Sequence, residues 1–388
     1  MGIVFPKNSI YLGIVINRIL YNSLEKNVKK DKAIVLLGPR QVGKTTLIQE
    51  FLKNKDCLFL SGDDPEVRAL LENAGTTKLQ AILGNYEWVF IDESQRIKGI
   101  GLTAKLITDN FKKVQLFISG SSALEINDHT QEPLTGRKYE YQLFPISWEE
   151  FEKNVGYLEA NSQLEERLIY GMYPDVINHR SEAAVILKQL TSSYLYKDIL
   201  SITGIKKPDL LEKLLRALAL QLGNEVSYNE LSKLLEVDKA TIAKYIDLLE
   251  KLFIIVKLNS FSRNQRNEIK HNRKIYFYDN GIRNMLINNL NPLDSRNDKG
   301  ALWENFLIIE RLKVQHYHQL FTNNYFWRTV QKQEIDFVEE RNGQLVAFEF
   351  KWKKKNSDKI PASFLEKYNT TGTIIDKDNF RDFVLLDR

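Results

Sequence analysis

A chain of 388 residues exceeds the length that one hydrophobic core usually supports, so two or three domains are expected. Its composition, 43 % hydrophobic and 27 % charged, is that of a soluble globular protein, and its single cysteine, Cys57, excludes an internal disulfide and a cysteine-based zinc site. The net charge of +5 permits contact with nucleic acid without arguing for it.

The apolar run at residues 10–16 comes first in the chain and is too short to cross a membrane. No signal-peptide cleavage site follows it. We therefore expect a cytoplasmic protein without membrane contact.

A phosphate-binding loop is the next predicted feature. Residues 38–45 fit the pattern G-x-x-x-x-G-K-[ST], and they lie between a strand pattern and an amphipathic helix pattern. A polyphosphate needs converging backbone N–H groups at a helix N-terminus, with no Cβ at the points of closest approach. Lys44 can then reach the terminal phosphates of ATP or GTP, and the Thr45 hydroxyl can ligate Mg²⁺. The predicted nucleotide-binding residues are Gly38, Pro39, Arg40, Gln41, Val42, Gly43, Lys44, Thr45 and Thr46.

Two carboxylates, Asp92 and Glu93, follow the apolar strand pattern at residues 88–91. Such an apolar run is typical of the buried strands of a parallel sheet, and functional residues often lie at the C-terminal ends of these strands. We expect Asp92 to hold the magnesium ion through its water shell and Glu93 to orient and deprotonate the attacking water. In the alternative interpretation, the pair simply ends a strand and begins a turn.

Ser119 and Arg137 are two further catalytic candidates. Ser119 ends the strand pattern at residues 114–118, from which its hydroxyl could contact the γ-phosphate or the water; its alternative role is a helix cap. Arg137 could supply positive charge to the transition state, either in its own subunit or across an interface. Its alternative is an ordinary surface arginine.

These segments resemble the AAA-type P-loop ATPases of prokaryotes that carry a C-terminal domain of unknown function. The resemblance rests on residues 38–45, 90–95, 118–122, 135–137 and 170–174, and it covers nearly the whole chain. The family usually has Thr where this chain has Ser119, a change that keeps the hydroxyl. The resemblance implies a parallel-sheet AAA-type ATPase domain, here placed at residues 1–190, with ATP and Mg²⁺ as cofactors.

Residues 191–285 are predicted to form a winged helix-turn-helix module. A leucine pattern at 208–222 indicates one helix, Ser227 and Glu230 form a capping-box signature at the next, and a further helix at 240–252 leads into a strand. The wing at 262–274 has one acid, Glu268, and five basic residues: Arg263, Arg266, Lys270, Arg273 and Lys274. We expect any DNA contact of this wing to be with phosphates. A purely structural or interdomain role is the alternative.

The last predicted domain, residues 286–388, contains a hairpin signal at Asn342-Gly343. If these two residues form the turn, Asp336 faces Glu349 and Glu334 faces Lys351. We expect these four side chains on one face of the hairpin. The opposite, buried face is expected to carry Ile335, Phe337, Phe348 and Phe350.

Facing carboxylates repel each other unless a cation lies between them, and Mg²⁺ would serve. Asp336, Glu349 and Lys351 resemble the metal site of PD-(D/E)XK nucleases, in which Glu304 would match the carboxylate of the preceding helix. This resemblance implies an α/β restriction-endonuclease-like domain with Glu304, Asp336 and Glu349 as metal ligands and Lys351 as a catalytic residue. A Glu334–Lys351 surface ion pair with a tolerated Asp–Glu neighbour is the alternative.

The sequence as a whole predicts an α/β protein in which Mg²⁺-dependent ATP hydrolysis drives or gates a nuclease-like, DNA-associated C-terminal domain. One alternative is an ATP-binding switch or scaffold that recruits a protein partner and carries an inactive nuclease-like domain. A second alternative is an ATP-gated DNA endonuclease. A homo-oligomer also stays open, because an arginine acting across an interface would require one.

Overall fold

The structure is a computed structural model that describes residues 16–120, 134–195, 208–262 and 273–386. Two compact units divide the chain: residues up to Pro145 with 251–253 form the first, and residues 146–250 with 254–388 form the second. Among the described helices, none is long and apolar enough to cross a membrane.

The first unit alternates strands and helices. Its elements are α1 (Leu20–Asn27), β1 (Ala33–Leu37), α2 (Lys44–Leu52), β2 (Cys57–Ser61), α3 (Pro65–Leu71), α4 (Thr76–Leu83), β3 (Trp88–Asp92), a 3₁₀ turn (Ser94–Arg96), α5 (Ile100–Asn110), β4 (Gln115–Gly120) and β5 (Lys138–Gln142).

The five strands of this unit form one parallel sheet in the order β2-β3-β4-β1-β5. All residues of β1 and β4 are buried, as expected for strands that are covered on both faces. Because every strand runs in the same direction, the C-terminal ends of β1, β3 and β4 lie at one edge of the sheet. The phosphate loop, Asp92 and Ser119 therefore meet at that edge.

The second unit begins with helices and continues into a mixed sheet. Its helical elements up to residue 251 are α6 (Trp148–Val155), α7 (Tyr157–Ser162), α8 (Leu164–Tyr170), α9 (Pro174–Asn178), a 3₁₀ turn (Arg180–Glu182), α10 (Ala183–Gln189), a π-helical turn (Leu190–Leu195), α11 (Pro208–Leu220), α12 (Tyr228–Leu234) and α13 (Lys239–Lys251). The remaining elements are β6 (Glu225–Val226), β7 (Ile255–Ser260), β8 (Arg273–Phe277), α14 (Asn280–Leu286), a 3₁₀ turn (Leu293–Ser295), α15 (Lys299–Tyr317), β9 (Asn323–Arg328), β10 (Glu334–Arg341), β11 (Gln344–Phe350), α16 (Ala362–Tyr368), β12 (Thr371–Ile375) and α17 (Arg381–Val384).

One seven-stranded sheet runs through this unit in the order β12-β11-β10-β9-β7-β8-β6. The parallel pair β7–β9 joins the strands before residue 285 to those after it, with Asn259 opposite Tyr325. The structure therefore differs from the predicted boundary at 285/286. Backbone hydrogen bonds continue across it.

The division at 145/146 also differs from the predicted domain end at 190. The Asn284 side-chain amide donates to the carbonyls of Leu168 and Ile169 at 3.2 and 2.8 Å. The Met172 N–H donates to the buried Asp279 carboxylate at 2.6 Å. These contacts join the helices that follow Pro145 to α14, within the second unit.

The hairpin turn at Asn342-Gly343 is confirmed. Both residues have positive φ, 52° and 76°, and β10 pairs antiparallel with β11 from Phe337 opposite Phe348 to Arg341 opposite Gln344. This is the predicted register.

The predicted sharing of one face by Ile335 and Phe337 is wrong. Ile335 packs in a cluster with Val338 and Ala347, whereas the Phe337 ring packs against Phe383. A register shift between β10 and β9, located between Ile335 and Val338, is the physical reason, because a bulge reverses the alternation of side chains.

Candidate functional site

The phosphate loop connects β1 to α2 and requires its glycines. Gly38 has φ 151°, and a Cβ there would lie 2.1 Å from the Leu143 carbonyl oxygen. Gly43 precedes α2 with φ 93°, a left-handed conformation that disfavours other residues. The loop can therefore direct backbone N–H groups toward a ligand at the α2 N-terminus.

Lys44 is 5 % exposed, and its ammonium lies inside the loop. Nζ donates to the carbonyl oxygens of Gly38 at 2.9 Å and Pro39 at 2.6 Å. Both of these hydrogen bonds are to neutral carbonyls, and they fix the position of the ammonium.

The other predicted loop residues differ in exposure. Gln41 is exposed and has φ 60°, Val42 is fully buried, and Thr46 lies half-buried in the first turn of α2. Arg18 was not predicted: its guanidinium donates to the carbonyls of Val42 and Phe144, both at 2.7 Å. No local sequence pattern predicts these two hydrogen bonds, because they are made to backbone carbonyls that are distant from Arg18 in the sequence.

Thr45, Asp92 and Ser119 meet at the C-terminal edge of the sheet. The Thr45 hydroxyl donates to Asp92 Oδ2 at 2.9 Å, and the Ser119 hydroxyl donates to Asp92 Oδ1. Burial raises the pKa of Asp92, although both hydroxyls oppose that shift. Ser119 reaches this position because β4 lies between β1 and β3, so its hydroxyl contacts the acid rather than standing apart from it.

Glu93 follows Asp92 in a left-handed conformation, φ 46°, at the start of a 3₁₀ turn. A Cβ on Gly62 would lie 2.3 Å from the Glu93 carbonyl oxygen, so a small residue is needed there. The Gln95 amide donates to Glu93 Oε2 at 2.5 Å, and the Arg40 guanidinium lies 3.9 Å from the same oxygen. Gln95 was not predicted, although its position two residues after Glu93 could have suggested a contact.

Arg137 lies at the opposite edge of the sheet. Its carbonyl accepts from the N–H of Ala33, the first residue of β1, whereas the phosphate loop follows Leu37 at the other end. Five residues of strand separate the two edges by about 16 Å. The Arg137 guanidinium instead pairs with Asp109 at 2.6 Å. The predicted action of Arg137 on a nucleotide in its own subunit is therefore wrong, and action across an interface stays a prediction.

A second cluster of charged side chains occupies the second unit. The ammonium of Lys274, a residue of β8 that is 1 % exposed, lies 2.6 Å from Glu334, 3.0 Å from Glu304 and 3.9 Å from Asp336. The Tyr276 hydroxyl donates to Glu304 at 2.5 Å. Lys274 was predicted only as a wing residue.

The acids of this cluster titrate unusually. Burial, followed by the neighbouring Asp336 charge, raises the pKa of Glu304 to about 7. Burial also raises the pKa of Asp336, which accepts a hydrogen bond from the Phe350 N–H at 2.8 Å. For Lys274, burial alone would lower the pKa, but the carboxylates of Glu304, Asp336 and Glu334 raise it.

The alternative interpretation, a surface ion pair between Glu334 and Lys351, is wrong. Glu334 pairs with Lys274, and Lys351 donates to Glu349 at 2.7 Å. Within the four described ranges, no three His, Cys, Asp or Glu side chains are arranged to hold a metal ion. The predicted metal set of Glu304, Asp336 and Glu349 is thus not assembled, because a lysine from β8 lies among the acids and Glu349 has its own lysine.

The predicted basic wing is only partly described. Arg263, Arg266 and Lys270 lie outside the described residues. Arg273 donates to the Tyr228 hydroxyl at 3.0 Å, with its guanidinium 4.6 Å from the Tyr228 ring centroid. Since Lys274 is buried among acids, the expectation that it contacts DNA phosphates is wrong.

Comparison with known protein families gives a match for most of the first unit. Residues 30–152 match the family described as an AAA domain, a range that includes the phosphate loop, Asp92, Glu93 and Ser119. This part of the chain is therefore similar to an AAA domain, and it contains the P-loop pattern at residues 38–45. Residues 161–293 and 299–384 match two domains of unknown function, DUF8612 and DUF4143. The winged helix and the nuclease-like domain stay predictions.

Relatives that match over most of this chain occur in bacteria and archaea. An uncharacterized protein of Haemophilus influenzae is 25 % identical over 359 residues, which cover 84 % of this chain and 85 % of that protein. An uncharacterized protein of Mycobacterium tuberculosis is 27 % identical over 338 residues, which cover 84 % of this chain and 72 % of that protein. An uncharacterized protein of Methanocaldococcus jannaschii is 23 % identical over 347 residues, with 83 % and 75 % covered.

Two solved structures are distantly similar to the chain. The Walker-type ATPase paby2304 of Pyrococcus abyssi gives a TM-score of 0.46 at 16 % identity, covering 70 % of this chain and 96 % of that chain. A STAND-type signal transduction ATPase with a tetratricopeptide repeat sensor, from Pyrococcus horikoshii, gives a TM-score of 0.29 at 12 % identity, covering 78 % and 46 %.

Proposed function

We propose that the AAA-type domain hydrolyses ATP with Mg²⁺ at the edge of the parallel sheet. The observation that carries the proposal is the 2.9 Å hydrogen bond between the Thr45 hydroxyl and Asp92, beside the Lys44 ammonium held in the loop. A hydroxyl next to a carboxylate is the oxygen-ligand chemistry that Mg²⁺ prefers. Bound Mg²⁺ would neutralise phosphate charge during transfer to water.

Each residue of this site has a separate role in the proposal. Lys44 would bind the terminal phosphates, and Thr45 with Asp92 would hold the metal, Asp92 through metal-bound water. Glu93 would accept a proton from the water that attacks the γ-phosphorus, while the bond from that phosphorus to ADP breaks. The Gln95 amide would orient the Glu93 carboxylate.

The test compares ATP hydrolysis by the full chain and its Glu93→Gln variant, with and without Mg²⁺. We expect the variant to retain ATP binding and to lose turnover, because an amide cannot accept the proton. Glu87→Gln, at an exposed glutamate just before β3, is the matched control and is expected to keep wild-type turnover. Turnover that persists in Glu93→Gln, or that needs no divalent cation, would contradict the assigned chemistry.

We propose further that ATP turnover drives or gates the second unit, with DNA as a target. What supports this is the occurrence in one chain of a match to an AAA domain, a match to a C-terminal domain of unknown function, and the predicted basic wing at 262–274. The test measures salt-dependent DNA binding, with ATP and with ADP, by the wild type and by a variant with Arg263, Arg266 and Lys270 neutralised. Equal binding by the wild type and the variant would remove the wing from the proposal, and equal binding with ATP and with ADP would remove the gating by nucleotide. An absence of DNA binding would remove DNA from it.

A second candidate function is an ATP-binding switch or scaffold with an inactive nuclease-like domain. The position of Lys274 among Glu304, Glu334 and Asp336 favours this candidate over the ATP-gated endonuclease. Single-turnover and steady-state ATPase rates separate a switch from a motor: a switch hydrolyses slowly and stays nucleotide-bound. Pull-down with ATP and with ADP would then identify a state-specific protein partner.

A further inference from the structure

The cluster around Lys274 has the acids of a candidate metal site but already contains a cation. We infer that the Lys274 ammonium is the resident cation of this cluster and replaces a divalent metal ion, so the C-terminal carboxylates hold no catalytic metal. This inference concerns the second unit alone and does not rest on ATP hydrolysis by the first.

Three cations of the protein lie around the carboxylates of this cluster. Its four carboxylates are Glu304, Glu334, Asp336 and Glu349. Three cations face them: Lys274, Lys351 at 2.7 Å from Glu349, and Arg328 at 3.8 Å from Glu334. Arg328 is shared with Glu225, at 3.4 Å. A divalent ion would therefore have to compete with these cations for the same carboxylates.

The space beside Glu304 and Glu334 is also occupied, by the Lys274 ammonium. Mg²⁺ binds oxygens at about 2.0–2.1 Å, so an ion ligated by Glu304 and Glu334 would lie against the ammonium that contacts both. The two like charges would repel strongly in a buried site. The Lys274 ammonium and a metal ion ligated by Glu304 and Glu334 therefore exclude each other.

Lys274 cannot easily leave the cluster. It lies in β8, a strand paired on both sides, with Glu225 of β6 and Leu258 of β7 opposite it. Its ammonium also lies 5.6 Å from the ring centroid of the fully buried Phe326. The ladder fixes the backbone of Lys274 on both sides, and the contacts with Glu304 and Glu334 hold its ammonium in the cluster. The cluster then links β8, β10 and α15 as a structural element.

The first test measures Mn²⁺ binding to the nucleotide-free full chain by electron paramagnetic resonance. We expect the wild type and Asp336→Asn to bind the same number of ions, because the cluster takes none. An additional ion in the wild type that Asp336→Asn loses would overturn the inference. This measurement needs no variant at Lys274.

The second test removes the resident cation. Lys274→Met keeps the aliphatic stem but leaves buried acids without their ammonium, and we expect the Tm to fall by roughly 10 °C. Excess Mn²⁺ should restore at least half of that loss, whereas the double variant Lys274→Met, Asp336→Asn should gain nothing. Lys353→Met, at an exposed lysine after β11, is the matched control with an unchanged Tm. A Tm of Lys274→Met that does not respond to Mn²⁺ or Mg²⁺ would count against a latent cation site.

The third test is plasmid nicking with Mg²⁺ and with Mn²⁺. The inference expects none from the wild type. Nicking that disappears in Asp336→Asn but persists in Lys44→Met would overturn the inference while leaving the ATPase proposal intact. Loss of ATP turnover without nicking, conversely, bears on the ATPase proposal alone.

Discussion

Both units bury a lysine near carboxylates, but they give its charge different partners. In the first, Lys44 donates to two backbone carbonyls, and Asp92 accepts from two hydroxyls. In the second, Lys274 contacts three carboxylates directly. A charge with neutral hydrogen-bond partners can still attract an ionic ligand, whereas a charge paired with its opposite cannot do so strongly. The arrangement around Lys44 therefore suits the binding of a ligand, and the arrangement around Lys274 suits the cross-linking of structural elements.

The largest contrast is expected from the same substitution at the two lysines. Lys44→Met should lower ATP turnover about 100- to 1,000-fold, because the phosphates lose a preorganised cation, and should change the Tm little. Lys274→Met should lower the Tm and should change ATP turnover little. Steady-state ATPase assays and thermal denaturation of both variants decide this, with exposed Lys53→Met as control. An equal fall in Tm in the two variants would contradict the proposed difference between Lys44 and Lys274.

A second buried ion cluster tests whether paired charges stabilise this unit. Asp298 bonds to Arg296 at 2.8 Å and also to Arg283, and both guanidiniums are nearly inaccessible. Asp298→Asn leaves them without the carboxylate and should lower the free energy of unfolding by about 3 kcal/mol at pH 7. Urea denaturation measures this, with exposed Asp294→Asn as control.

The pH dependence of that difference has a definite sign. Burial opposes ionisation of Asp298, but the hydrogen bonds from Arg296 and Arg283 outweigh it and lower its pKa from 3.8 to about 2. The stabilisation is therefore present above pH 4 and is lost as the pH falls toward 2. The difference in the free energy of unfolding between the wild type and Asp298→Asn should therefore decrease over that pH interval. A difference that stays constant would show that Asp298 acts without its charge.

A smaller effect is expected at Gln95, which positions Glu93 rather than touching the phosphates. Gln95→Ala should lower kcat about 10-fold and change KM by less than about 2-fold, because the carboxylate loses its orientation but not its basicity. Gln80→Ala, on the exposed face of α4, is the control. A rise in KM with unchanged kcat would instead make Gln95 a binding residue.

The smallest effect is expected at Arg137. Its guanidinium is 40 % exposed and pairs with the surface residue Asp109, so Arg137→Ala should leave turnover within about 2-fold and the Tm nearly unchanged. The measurement should be made at low and high protein concentration. A loss above about 10-fold that appears only at high concentration would place Arg137 at a site in a neighbouring copy.

Local sequence patterns were sufficient to predict the phosphate loop and the hairpin turn. Gly38, Gly43 and Asn342-Gly343 are required by backbone conformation, and such requirements are visible in a few adjacent residues. Thr45 and Asp92 were predicted to act on one ion because parallel strands end at one edge. The structure brings their side chains into contact.

Long-range packing could not be predicted in the same way. Lys274 reaches Glu304 and Asp336 only through the pairing of β7 with β9, which no local pattern encodes. Arg18 contacts backbone carbonyls that carry no residue-specific signal. The bulge in β10 likewise depends on its pairing with β9, so strict alternation placed Ile335 and Phe337 on one face.

The parallel pair β7–β9 also limits how this chain can be divided. The two domains of unknown function meet between residues 293 and 299, yet the sheet crosses that point without interruption. A fragment that starts at residue 286 would expose the edge of β9, a template for aggregation, and would lack Lys274. A recombination or truncation point at this boundary would therefore divide a single folding unit. In this chain the two sequence families together describe that one unit.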